Sequence, residues 1–182
     1  MKCPLTRRKG PPGVHGPSGY PRLTAYGAQL MEKQKAKNTY GLRERQFAGL
    51  MRNAQKKTGD TGKYLIDMLE SRLDNVIYRL GFAETRPMAR QLVSHGHFLV
   101  DGKRLTIPSA LLKVGQKITI KESSKKKSTF TSLDDRFKHV QVPVWLTLDP
   151  AAYTGSVKAA PTSAADFMPL FDVKAVVEFY GR

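Results

Sequence analysis

Helices followed by a short β-sheet are the architecture that this 182-residue chain predicts, and three observations carry the expectation. Leu65, Leu69, Leu73, Val76, Ile77 and Leu80 recur at three- and four-residue steps, the spacing of one side of helical structure that stops at Gly81. Thr85 is placed to cap a further helix, with Pro87 in its first turn, where a missing N–H loses no intrahelical partner. Asp101-Gly102 then divides residues 97–100 from 103–105, and this pair suits the positive φ angles of a two-residue hairpin turn.

From the start of the chain, TRRKGPPGVHGPSGYP is too rich in Gly and Pro for a long helix or a central strand, and it predicts an extended arm. Arg7, Arg8, Lys9 and His15 on such an arm suit phosphate contact among RNA strands; a solvated tail is the alternative. Residues 24–39 and 43–57 predict two helices, with Tyr26, Leu30 and Met31 as the apolar stripe of the first and Phe47, Leu50, Met51 and Ala54 as that of the second. Their remaining surface carries Lys33, Lys35, Lys37, Arg43, Arg45, Arg52, Lys56 and Lys57, with Lys63 soon after. So many cations with so few acids beside them favour phosphate binding over a merely solvated face. TGDTG forms the next turn, and Thr61 is the expected cap of the helix that follows.

The helix expected from Thr85 to about His95 turns Ala89, Leu92 and Val93 inward, while Arg86, Arg90 and Ser94 follow at four-residue steps on another face. Lys103 and Arg104 add a basic pair in the hairpin. IPSALLKVGQKITIKE then predicts a loop around Pro108, a turn at Gly115-Gln116 and a strand over residues 117–121 that completes a small sheet. Lys125, Lys126 and Lys127 form a flexible basic link, serving either RNA contact or solubility alone. Beyond Ser128 the elements are shorter: a strand over 144–148, a Gly/Ala/Pro/Ser-rich stretch over 155–165, and AVVEFYG, which Asp172 as a cap inclines toward a helix of two turns.

A formal charge of +16 favours a polyanionic partner, nucleic acid before an anionic membrane. The charge is uneven. Residues 1–63 hold 14 Lys and Arg against three acids, 64–127 hold 12 against six, and 128–182 hold five against six, leaving the last third freer to meet protein. No apolar run approaches the ~20 residues that span a bilayer, and residues 1–9 contain no secretory-type apolar segment, so a cytosol-like compartment is expected. Cys3 is the only cysteine, which excludes an internal disulfide and a cysteine-rich zinc site; His95 and His97 lack the spacing of a helical metal pair. No metal or cofactor is expected. Without a GxSxG, a GxxxxGK[ST] or room for an added catalytic domain, an RNA-modifying enzyme is disfavoured.

Five blocks in order, RRKGPPGVHG, YGAQLMEKQKAKNTYGLRERQF, TGKYLIDMLESRLDNVIYRLGFAETRPMARQLVSHGHFLVDGKR, VPVWLTLD and VVEFYGR, identify a resemblance over nearly the whole chain. The chain resembles the bacterial-type small-subunit ribosomal protein four family, after which the S-four RNA-binding domain is named. The resemblance implies an α+β protein with an arm over residues 1–22, a helical domain over 23–68 that residues 172–182 are free to join, an S-four domain over 69–127, and an extension of it over 128–171. It implies a structural constituent of the small ribosomal subunit that binds a multi-helix junction in the 5′ domain of the ribosomal RNA, nucleates assembly and contributes to translational accuracy. Implied partners are that RNA, small-subunit protein five and messenger RNA where it enters the ribosome, in the cytoplasm or an organelle. A messenger-RNA-binding translational regulator is the alternative. On this reading Arg72, Arg79, Arg86, Arg90 and Lys103 match the spacing of phosphates, and Gln91, Ser94, His95 and His97 supply hydrogen bonds at closer range. For Arg72 and Arg79, pairing with Asp74 or Glu70 is an equal alternative. Two departures stand out: family members often carry a longer N-terminal arm with four cysteines, of which Cys3 matches the last, and only Lys158 remains of the basic residues common after Gly155.

Overall fold

The computed structural model describes residues 13–16, 22–125, 127–161 and 169–181, and within them the chain is α+β. Five helices lead: α1 (Ala25–Thr39), α2 (Glu44–Gln55), α3 (Thr61–Glu70), α4 (Leu73–Arg79) and α5 (Arg86–Ser94). The strands β1 (Phe98–Val100), β2 (Lys103–Arg104) and β3 (Lys117–Ile120) come next, followed by the short helices α6 (Glu122–Lys125) and α7 (Leu133–His139). Strands β4 (Leu146–Asp149) and β5 (Thr154–Val157) and the helix α8 (Val173–Tyr180) complete the order. The five strands form one antiparallel sheet in the order β2-β1-β3-β5-β4.

Side-chain caps fix four of the eight described helix starts, those of α1, α3, α5 and α8. Thr85 accepts from the Met88 N–H at 3.3 Å, and Asp172 accepts from the Lys174 and Ala175 N–H groups, so the terminal segment is helical despite its β-prone valines. At α3 the cap is Asp60, not Thr61. The Asp60 carboxylate takes the Gly62 and Lys63 N–H groups from an extended backbone and adds negative charge at the positive helix end, while Thr61 is already the first helical residue.

The helical stripe from Leu65 to Leu80 serves two cores rather than one. Leu65 and Leu69 pack with Phe47, Met51, Ala54, Phe171 and Val176, whereas Leu73, Val76, Ile77 and Leu80 pack with Leu92, Phe98, Ile118 and Trp145. The helix breaks between the two sets because residues 108–112 compete for its backbone. Leu112 N–H donates to the Ser71 carbonyl, while the Leu73 and Asp74 N–H groups donate to Ala110 and Pro108 carbonyls, satisfying the first donors of α4. Helix α8 returns to the first core, with Val176 fully buried and Val173 seated over Gly62. This docking also changes the role of α1. Tyr26 and Met31, expected in the core, are 51% and 52% exposed, and α1 turns Ala36 and Lys33 inward instead.

In the second core, Phe98, Val100, Ile118, Ile120 and Val157 line the sheet face covered by α4 and α5. Asp101 and Gly102 have φ angles of 49° and 79°, as the hairpin turn between β1 and β2 requires. The fourth strand begins at Leu146, leaving Val144 exposed outside it. The Gly/Ala/Pro/Ser-rich stretch begins inside a strand: Thr154–Val157 pairs with both β3 and β4, and Gly155 reads as a breaker only until its neighbour is known. A Cβ at Gly155 would collide with the Leu80 side chain, so glycine here lets the end of α4 lie flat on the sheet. The expected flexible link after β3 is partly ordered, with Lys125 in α6.

Gly155→Ala is expected to destabilise the chain by about 1–3 kcal/mol through overpacking, and Gly155→Ala with Leu80→Ala to cost less than the sum of the two, as measured by denaturant unfolding. Leu73→Ala is expected to cost about 2–5 kcal/mol; an unchanged unfolding midpoint would remove Leu73 from the core.

Candidate nucleic-acid interface

Helix α2 separates its two surfaces by periodicity. Arg45, Arg52 and Lys56 follow at seven- and four-residue steps and so share one line, while Phe47, Met51 and Ala54 are buried on the opposite side. Arg43, Arg45, Arg52, Lys56, Lys57 and Lys63 are all exposed, with the Lys57 ammonium 5.0 Å from the Tyr64 ring centroid. Together they form a basic face on the first core.

Other cations of this region hold the fold instead. Lys33 is 6% exposed, donates to Glu44 at 3.0 Å and lies 4.7 Å from the Phe179 ring centroid, which removes it from an RNA-facing surface. Lys37 also pairs with Glu44, at 3.4 Å, and the Tyr180 hydroxyl donates to the same carboxylate at 2.8 Å. Burial alone would raise the Glu44 pKa, but the Lys33 and Tyr180 hydrogen bonds outweigh it and keep the carboxylate ionised. Lys35 pairs with Glu32 across one helical turn and stays half exposed, a contact weak enough to exchange for phosphate.

Where the two cores meet, Glu70 is fully buried and accepts from the Tyr40 hydroxyl at 2.6 Å, Asn75 Nδ2 at 2.9 Å, and Arg79 Nε and Nη2 at 3.0 and 2.9 Å. Asn75 Oδ1 in turn accepts from Arg86 Nε at 2.9 Å. The Arg86 guanidinium stands 5.1 Å from the Tyr40 ring centroid and 4.5 Å from that of Tyr78. Burial, then the charge of Glu70 and the hydrogen bond to it, raise the Tyr40 pKa well above the ordinary phenol value. Arg90 adds a second tie, from Nη1 to the Gly41 carbonyl at 2.9 Å. Arg72 is 3% exposed and paired with Asp74 at 2.8 Å, so of its two alternatives the internal pair is the one realised; Arg79 keeps a partly exposed edge.

In the second core, Gln91, Ser94 and His95 are exposed along α5, with Ser94 Oγ donating to the Arg90 carbonyl. The start of this helix offers little to an anion: Pro87 has no N–H and Thr85 occupies that of Met88. Arg104 reaches back over Gly96, whose φ is 72°, and Nη2 donates to the His95 carbonyl at 3.3 Å, a cation at the negative end of α5. Lys103 is exposed at the hairpin edge. His97, expected at closer range to RNA, is only 8% exposed and sits 2.9 Å from Ser124 Oγ against the Phe130 ring. Burial first, then nearby Lys127, His95, Arg104 and Lys121, lower its pKa and favour the neutral imidazole.

Those neighbours mark the outer face of the sheet. Leu99 pairs with both Arg104 and Thr119, so Arg104, Lys117 and Lys121 alternate away from buried Ile118 and Ile120. Lys117 and Lys121 were not among the expected contacts, nor were exposed Lys113 and Lys158. Their signal lies in KITIK, whose two-residue period assigns both lysines to the uncovered side. Lys127 is exposed beside this face, and Lys125 pairs with Glu122. His15 is exposed in a turn closed by Gly16 N–H to the Gly13 carbonyl; Arg7, Arg8, Lys9 and Lys126 lie outside the described residues. Among the described residues, no three His, Cys, Asp or Glu are grouped to hold a metal ion, and no helix is long and apolar enough to cross a membrane.

Residues 1–70 match the family described as ribosomal protein S4/S9 N-terminal domain, and residues 71–118 match the S4 domain. The chain is 47% identical over 181 residues to small ribosomal subunit protein uS4 of Roseiflexus sp. strain RS-1, covering 98% of this chain and 87% of that protein. It is 48% identical over 182 residues to the protein of the same name from Chloroflexus aurantiacus strain J-10-fl, with 98% and 87% covered. With that of Syntrophomonas wolfei it shares 42% identity over 181 residues, with 100% and 86% covered.

Glu70→Ala is expected to cost about 3–5 kcal/mol in chemical denaturation, because it strands Arg79 without its buried partner. Tyr40 and Tyr180 hold their protons more tightly folded than unfolded, Tyr180 through burial and its bond to Glu44. Their stabilisation is therefore complete below the unfolded phenol pKa of about 10 and is lost as pH rises above it. Tyr180→Phe is expected to flatten the fall of the melting temperature above that pH; an unchanged slope would contradict the assignment.

Proposed function

The chain belongs to the uS4 family of small ribosomal subunit proteins and is a structural constituent of that subunit, and we propose that it is a primary binder of the 5′-domain junction of the ribosomal RNA. The observation that carries this reading is the exposed line of Arg45, Arg52 and Lys56 on the side of α2 opposite its core. A second basic face, of Arg104, Lys117, Lys121 and Lys127, stands on the other core, with Lys103 exposed at the hairpin edge beside it. Phosphates would replace the counterions of these side chains, and the fixed separation of the two faces would select RNA by shape rather than by base sequence. Arg7, Arg8, Lys9 and His15 would extend the grip from the arm, and Gln91, Ser94 and His95 would add hydrogen bonds beside Arg90.

In this reading the protein acts by holding RNA and performs no reaction. Residues 23–70 with 171–182 form one domain and residues 71–127 the S4 domain, a boundary two residues later than expected because Leu69 packs in the first core, and residues 128–170 are its extension. The nearly neutral C-terminal third meets small-subunit protein five close to where messenger RNA enters, the placement through which the protein would influence decoding accuracy.

The test is binding of the full chain to a junction transcript at several salt concentrations. Replacing Arg45, Arg52 and Lys56 by Ala is expected to weaken binding and to reduce the slope of log K against log salt by about 2–3, with the melting temperature unchanged. A salt-independent complex, or protein that fails to co-sediment with small subunits after a moderate-salt wash, would overturn the proposal.

A further inference from the structure

The crease between the two cores holds a recess of about 160 Å³ lined by Thr39, Tyr40, Tyr78, Arg79 and Arg86 with residues 169–171. Arg86 differs from the other cations near it. Asn75 takes its Nε, the Tyr40 and Tyr78 rings flank its guanidinium, and among the described residues its two terminal nitrogens make no hydrogen bond. Asn75 is itself fixed, since its Nδ2 donates to both the Glu70 carbonyl and the Glu70 carboxylate, at 3.0 and 2.9 Å. Arg79 and Glu70 offset one another, which leaves Arg86 as the uncompensated charge of the recess.

From this geometry we propose that Arg86 is a preorganised seat for a single RNA phosphate at the crease, with Tyr78 and Asn75 as positioning residues that aim its terminal nitrogens. The inference rests on the RNA-binding reading above and names one contact within it. A phosphate suits the site better than a stacked base. The guanidinium already faces both tyrosine rings, and a fork of two parallel N–H donors matches two phosphate oxygens. Because the rotamer is set before RNA arrives, binding loses little side-chain freedom. The seat also touches both cores at once, Tyr40 belonging to the first and Tyr78 to the second, so occupation favours their observed orientation.

The experiment uses the full chain and the junction transcript at fixed salt. Arg86→Lys keeps the charge and loses the fork, so it is expected to weaken binding about 10- to 100-fold with an unchanged salt slope, while loss of the Asn75 bond lowers the melting temperature without unfolding the chain. Tyr78→Leu is expected to weaken binding in the parent and to add almost nothing in an Arg86→Ala background, the coupling that separates positioning from a direct base contact. Should either variant fail to fold, mass-spectrometric mapping of phenylglyoxal labelling on the parent decides: RNA is expected to protect Arg86. Equal labelling with and without RNA, parental affinity in Arg86→Lys, or additive Tyr78 and Arg86 effects would overturn the seat. Loss of binding in the Arg45, Arg52 and Lys56 variant alongside parental binding by Arg86→Lys would overturn the seat alone, whereas a parent chain that ignores the transcript would overturn both readings.

Discussion

The carboxylate of Glu70 has no contact with solvent, and a charge so placed is tolerable only with its lone pairs occupied. Four donors from Tyr40, Asn75 and Arg79 meet that requirement, and they come from two separate places, the end of α1 and helix α4. Satisfying one acid therefore fixes the end of α1 against α4 and, through Asn75, the start of α5. An apolar contact in the same place would tolerate sliding and small rotations. A set of directed hydrogen bonds to one ion does not, which gives the junction of the two cores a defined angle.

That angle matters because the cations are divided between two uses. Lys33, Arg72 and Arg79 neutralise Glu44, Asp74 and Glu70 and add little to the field outside. The outward cations have few acids near them, on α2 in one core and on the uncovered sheet face in the other. A strongly basic chain repels itself when compact, and Glu44, Glu70 and Asp74 lie where helices pack or join and relieve that repulsion there. The surface is left basic in two patches whose separation the joint determines.

Much of this was legible from spacing. The α2 stripe, the α5 core face, the Thr85 and Asp172 caps and the Asp101-Gly102 turn depend on neighbours within a few residues, and a one-dimensional pattern contains them. The rest depended on partners far along the chain. Lys33 looks like any surface lysine until Phe179 is beside it, and Tyr26 and Met31 look like core until α8 takes the adjoining face of α1. His97 is drawn inward by Ser124, and Gly155 is a strand residue because of the size of Leu80. The basic character of the interface was readable from composition, but which cations remain outside depended on where each acid finally lay.

Helix α8 packs into the core built by the first three helices, although the whole of the second core separates them along the chain. During synthesis this imposes an order. The sheet, its two covering helices and residues 130–145 contain their own apolar partners and are free to close while the helical unit made before them still lacks a wall. The first core to be translated is thus the last to be sealed, and one apolar side of it stays open until α8 is made.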